Sequence, residues 1–117
     1  MTRILIADSD PRTRQALALL LERKLGIHSI VEAWDRASLE HQLAMSALDL
    51  ILLDCYLPGL PTPEIASLLG CSAGARLALM SVNADDVATA QMLNAAFIYK
   101  GALPEEVLAT LNTLIPA

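Results

Sequence analysis

Residues 49–59 read D-L-I-L-L-D-C-Y-L-P-G, and this stretch decides how the chain folds. Leu50, Ile51, Leu52 and Leu53 form an apolar run with the length and branching of a strand buried on both faces. Asp54 stands at the end of that run, and Pro58-Gly59 turns the chain shortly after. A carboxylate where a buried parallel strand emerges lies where open α/β sheets gather their ligand chemistry. The reading that follows is that Asp54 accepts a phosphoryl group.

Working outward, strand and helix patterns alternate. Residues 3–7 (R-I-L-I-A) read as a short buried strand ending in Asp8-Ser9-Asp10. Pro11 then suits the first position of a helix over 11–24 capped by Asp10, with Ala16, Leu17, Leu20 and Leu21 on one face and Gly26 closing it. Residues 27–33 predict a second strand near a sheet edge. Asp35 predicts the cap of a helix reaching residue 44 or 45, with Leu39 and Leu43 inward.

After the Asp54 strand and a loop carrying Pro58, Pro61 and Pro63, a short helix over 63–69 ends at Gly70. Residues 76–80 predict the fourth strand, opening into Ser81-Val82-Asn83. An alanine-rich helix over 85–95, a strand over 96–99 ending at Lys100, and a helix from Pro104 complete the pattern. The last helix carries Glu105 and Glu106 in its first turn and Val107, Leu108, Leu111, Leu114 and Ile115 on its apolar face. Five such alternations predict a flavodoxin-like (βα)5 three-layer sandwich, a parallel five-stranded sheet in the order 2-1-3-4-5.

Composition narrows the class. With 117 residues, 55% of them apolar, the chain reads as one globular domain over 1–117. No apolar run approaches the roughly 18 residues of a membrane span. The N-terminus runs straight into strand-like sequence without a signal-peptide pattern, so a cytoplasmic location is expected. Cys55 and Cys71 lack metal-ligand spacing and read as unpaired thiols, Cys55 as a buried and inert one. A net charge of −5 argues against this segment gripping nucleic acid by itself. His28 and His41 have no partner acids, and Trp34 is expected to pack at a strand-to-helix corner.

In such a sheet the carboxyl ends of the strands share one rim. It would gather Asp8 to Asp10, Asp54, Ser81 and Lys100 from across the chain. Phosphoryl transfer to a carboxylate uses that set: a carboxylate nucleophile, a divalent cation shielding the phosphoryl oxygens, a fixed cation and a hydroxyl. Magnesium is the expected metal, because it takes one or two carboxylates with waters and phosphate oxygens.

The pieces together resemble the response-regulator receiver domains of two-component signalling. I-L-I-A-D-S-D-P (4–11) resembles the family's opening strand and acidic cluster, and L-I-L-L-D-C-Y-L-P-G (50–59) its phosphoacceptor strand and loop. Met80-Ser81 resembles the strand ending in a Ser or Thr, and A-A-F-I-Y-K-G-A-L-P-E-E-V-L (95–108) the segment with the switch aromatic and the lysine.

The resemblance implies Asp54 as phosphoacceptor, Lys100 as the phosphoryl-binding cation, Ser81 as the hydroxyl that moves toward the phosphate, and Phe97 as the aromatic that repositions with it. From composition alone Phe97 reads as core. Asp8, Asp54 and the backbone carbonyl of Tyr56 become the implied metal ligands. A histidine kinase or phosphotransfer protein becomes the partner. The fourth helix, fifth strand and fifth helix, with Ala84, Val87, Ala88 and Leu111, become a homodimer face. No enzyme activity is expected beyond the domain's own phosphoryl transfer and dephosphorylation.

Several residues depart from the family pattern. Ser9 stands where the second acid belongs, which predicts weak magnesium binding. Gly101 follows Lys100 in place of a common proline, Thr62 replaces a glycine, and Val82 is bulkier than the usual small residue. Ser9 supports an alternative reading, a pseudo-receiver acting as a phosphorylation-independent interaction module. A flavodoxin-like cofactor binder fits poorly, since D-S-D-P stands where a glycine-rich phosphate loop would be needed.

Overall fold

The computed structural model describes residues 1–70 and 74–115. Five strands, β1 (Arg3–Ala7), β2 (Ser29–Ala33), β3 (Leu50–Asp54), β4 (Arg76–Ser81) and β5 (Ala96–Tyr99), form one sheet in the order β2-β1-β3-β4-β5. All four pairings are parallel. The helices are α1 (Pro11–Leu25), α2 (Arg36–Met45), α3 (Ile65–Leu69), α4 (Val87–Met92) and α5 (Pro104–Leu114). The flavodoxin-like order expected from the alternation is the one found.

Every residue of β3 is buried, as a central strand covered on both faces requires. The two-residue period of the strands divides the core. Leu5, Ala7, Ile51, Leu53 and Leu79 pack with Leu39 of α2, Ile65 of α3 and Ala90 of α4. Ile4, Ile6, Leu50, Leu52 and Met80 pack on the other face with Leu17 and Leu21 of α1 and Leu111 of α5.

The helix ends follow the local chemistry. Asp10 caps α1 by accepting the Arg12 amide, with Pro11 in the first turn. Gly26 ends α1 at φ 66°, and its N–H bonds the Leu21 carbonyl. Asp35 and Ser38 form a reciprocal capping box on α2.

Four expectations change. The predicted 85–95 helix splits into a 3₁₀ turn at Ala84–Asp86 and a short α4, Val87–Met92. The 63–69 segment likewise opens with a 3₁₀ turn, Thr62–Glu64. Trp34 is 53% exposed, with the Arg14 guanidinium 5.9 Å from its ring centroid, so it lies on the surface and not in a packed corner. Leu111 is fully buried and belongs to the core, not to an exposed self-association face. Cys71 lies outside the described residues.

Replacing Asp35 by Ala removes one half of the capping box. Unfolding in urea should show a loss of about 1 kcal/mol. An unchanged midpoint would show that α2 draws its stability from packing alone.

Candidate functional site

Parallel pairing places the carboxyl ends of β1, β3, β4 and β5 along one rim. Asp8 follows β1, Asp54 ends β3, Ser81 ends β4 and Lys100 follows β5. The central sequence-predicted groups therefore converge. The Lys100 Nζ lies 2.5 Å from Asp8 Oδ2 and 3.5 Å from Asp54 Oδ1. One ammonium thus serves two acids.

Both acids are buried, Asp8 at 1% and Asp54 at 7% exposure. Asp8 Oδ1 accepts the Asp10 amide at 2.9 Å. The buried Oδ2 is paired with the Lys100 ammonium. The Asp8 backbone is fixed too, its N–H donating to the Ala33 carbonyl and its own carbonyl accepting from Arg14 Nη1 at 2.8 Å. Arg14 also pairs with Glu32 on β2 at 2.9 Å.

Burial raises the Asp54 pKa above its ordinary value near 3.8. The Lys100 charge opposes that shift, the Asp8 charge adds to it, and the Tyr56 amide, 3.3 Å from Oδ1, opposes it again. Cys55 is buried and its thiol is pushed up to about 11, chiefly by desolvation, which agrees with an inert side chain.

The loop after Asp54 is braced from α2. The Arg36 amide donates to the Pro58 carbonyl, and its guanidinium reaches the Gly59 carbonyl and Glu64. At Gly59, φ is 83° and a Cβ would come within 3.0 Å of the Arg36 Cβ, so the turn needs glycine twice over.

Ser9 and Asp10 are both exposed, and Asp10 serves as the helix cap. Neither supplies a buried third carboxylate to the rim. Among the described residues no group of three or more His, Cys, Asp or Glu side chains is placed to hold a metal. The carboxylates left at the rim are Asp8 and Asp54, and two carboxylates suit a hard divalent cation that keeps most of its waters.

Phe97 is half-buried against the core face that also holds Leu79 and Ala90. Gly101 has a local reason to be small, because a Cβ there would come within 2.5–2.8 Å of the Tyr99 ring. Val82 is 70% exposed and projects away from the core.

A family model described as the response regulator receiver domain matches residues 4–112. The chain belongs to that family. Solved receiver structures share its fold. A response regulator from Burkholderia pseudomallei, with a phosphorylated aspartic acid, a calcium ion and citrate, superposes with a TM-score of 0.79 at 22% identity, over 95% of this chain and 66% of that one. The signal receiver domain of a DNA-binding response regulator from Colwellia psychrerythraea gives 0.84 at 19% identity, over 97% and 98%. The chemotaxis protein CheY4 of Vibrio cholerae gives 0.80 at 16% identity, over 98% and 99%. This receiver domain thus spans about two thirds of the Burkholderia chain. No curated protein matches it.

Two groups escaped the sequence reading. The Ser81 hydroxyl donates to Asp86 Oδ2 at 2.5 Å, and the Tyr56 phenol donates to the same oxygen at 2.7 Å. The sequence pattern points to the Tyr56 backbone alone and marks no role for Asp86. Their link spans 30 residues and depends on where the 3₁₀ turn sets Asp86 down.

Asp54 holds its proton more tightly folded than unfolded. It therefore costs stability above its folded pKa, and that cost disappears as the pH falls below the unfolded value. Asp54→Asn should raise the melting temperature at neutral pH, with a gain that shrinks toward pH 3.8. A lower melting temperature at neutral pH would mean that the Lys100 attraction outweighs burial.

Proposed function

We propose that this receiver domain accepts a phosphoryl group on Asp54 from the phosphohistidine of a histidine kinase or phosphotransfer protein, and that the product biases an interaction surface. The observation that carries this reading is the Lys100 ammonium set between the two buried rim carboxylates. An Asp54 oxygen attacks phosphorus, the phosphorus–nitrogen bond to the donor imidazole breaks, and the imidazole leaves with the bonding pair. Lys100 then has a phosphoryl oxygen to pair with in place of the lost carboxylate charge. The elevated Asp54 pKa makes the ionised acid a better nucleophile, and acidification removes that form early.

Asp8, Asp54 and the Tyr56 carbonyl would hold a divalent cation, magnesium by its preference for such ligands. Bound there, it would offset the charge of the phosphoryl oxygens. With Ser9 exposed in place of an acid, that affinity is low. The domain acts on no second substrate: its chemistry is its own phosphorylation and dephosphorylation. The setting proposed is the cytoplasm, where kinase donors are made; no helix among the described residues is long and apolar enough to cross a membrane.

The output proposed is a shift between two existing conformations, in which Ser81 and Phe97 turn toward the phosphorylated site. The face along α4, β5 and α5 carries exposed Val87, Tyr99 and Leu103, and a second copy of the chain is its proposed occupant in the phosphorylated state.

The pseudo-receiver reading has one observation in its favour, the rim's two buried acids with Ser9 turned to solvent. Acetyl phosphate with magnesium separates the two. Intact-mass analysis should show one added phosphoryl group on the wild type and none on Asp54→Asn; an unlabelled wild type would leave the interaction module as the function.

Ser9→Asp should tighten magnesium about tenfold, ~1.4 kcal/mol of added attraction. The affinity can be followed by Trp34 fluorescence, since Arg14 joins that ring to the Asp8 carbonyl. Equal affinities would remove Ser9 from the ligand position.

A further inference from the structure

Ser81 is fully buried at the end of β4, one residue beyond Met80, which pairs with Asp54 in the sheet register. Its hydroxyl accepts the Asn83 amide at 3.0 Å and gives its only proton to Asp86 Oδ2 at 2.5 Å. The Tyr56 phenol, two residues past Asp54, gives its proton to the same oxygen at 2.7 Å. That bond raises the Tyr56 pKa, as expected for a donor facing a carboxylate. Asp86 directly precedes α4, where an acid commonly caps the helix, yet its side chain makes no capping bond. Its described hydrogen bonds go to the two hydroxyls instead.

A hydroxyl can donate once. While Ser81 donates to Asp86, it cannot donate to an anion on Asp54. We infer that Asp86 is a positioning residue that latches the Ser81 hydroxyl, so that a phosphoryl group on Asp54 must take this proton from a competing carboxylate before the domain can adopt its activated form. The inference rests on the reading of Asp54 as acceptor. The contest is between two anions of similar hydrogen-bonding character for one donor, and the charge-assisted bond to Asp86 is the one already made.

The latch couples two parts of the fold. Asp86 leads into α4, and Tyr56 lies in the acceptor loop, so release of Ser81 leaves the Tyr56 phenol as the remaining described tie on that carboxylate and loosens the start of α4 from the end of β4. By linkage, whatever favours release favours anion capture at Asp54, and capture favours release. The same arrangement assigns a role to the Tyr56 side chain: it holds the Asp86 carboxylate against Ser81 from the solvent side.

Beryllofluoride, an acyl-phosphate mimic, tests the latch when titrated in excess magnesium and followed by fluorine NMR. Asp86→Asn and Asp86→Ala should each bind it about tenfold more tightly than wild type, the scale of a lost charge-assisted bond. Removing a negative charge near an anion site would also tighten binding, so the decisive comparison is made with Ser81→Ala. In that background Asp86→Asn should tighten binding much less than it does with Ser81 present, because only the charge is left to remove and the latch has no proton to hold.

An equal gain with and without Ser81 would reduce Asp86 to simple charge repulsion and overturn the latch. So would unchanged affinity in both Asp86 variants, provided wild-type binding is present and lost in Asp54→Asn; the acceptor reading would then stand alone. Absence of binding in wild type and in both Asp86 variants would overturn the acceptor reading and the latch together. Binding seen only in the Asp86 variants would support both.

Discussion

The rim of this sheet is organised by one ammonium between two carboxylates. Asp8 and Asp54 lie at 1% and 7% exposure and carry the same charge, an arrangement that repels unless a cation stands between them. Lys100 supplies it from the far side of the chain, 92 residues beyond Asp8, as its Nζ–Oδ2 contact records. The strand order makes that reach possible, because β1, β3, β4 and β5 all end along one edge. Removing one partner of a buried charge pair typically costs on the order of 3–5 kcal/mol, so the same contact that readies the site also constrains the fold.

That arrangement has a charge deficit. Ser9 is exposed and brings no charge to the rim, while Asp10 caps α1. The two buried acids share one lysine, which leaves little excess negative charge to attract a divalent cation. A third acid, Asp86, lies on the other side of Asp54, near enough to Cys55 to help raise its pKa. Its carboxylate is engaged with Ser81 and Tyr56. The negative charge around Asp54 is thus divided between Asp8, paired with Lys100, and Asp86, paired with two hydroxyls.

The sheet was legible because its signals are local. The four-residue apolar run before Asp54, the Asp10-Pro11 start of α1 and the Asp35 cap each reflect chemistry within a few positions. Lys100 was legible as a strand-end residue, and its inward direction followed from the two acids opposite. What escaped depends on side-chain direction. Leu111 belongs to the right helical stripe, but only packing tells that it faces α1 and not a partner. Trp34 found a guanidinium at the surface where an aromatic corner was expected. Asp86 follows Ser81 by five residues in a segment that read as continuous helix; the 3₁₀ turn that aims it at Ser81 is set by Asn83, whose side chain accepts the Asp85 amide. No alternation or heptad pattern marks such a turn.

The proposed switch depends on Asp54 being the residue that carries the phosphoryl group. An acyl phosphate on an aspartate is cleaved reductively by borohydride, leaving homoserine at the modified position. Treating the wild-type domain with a phosphodonor and magnesium, reducing it, and mapping peptides across the whole chain should place homoserine at position 54 and nowhere else. Homoserine at position 8 or 86, or none in a sample whose phosphodonor is consumed, would contradict the assignment.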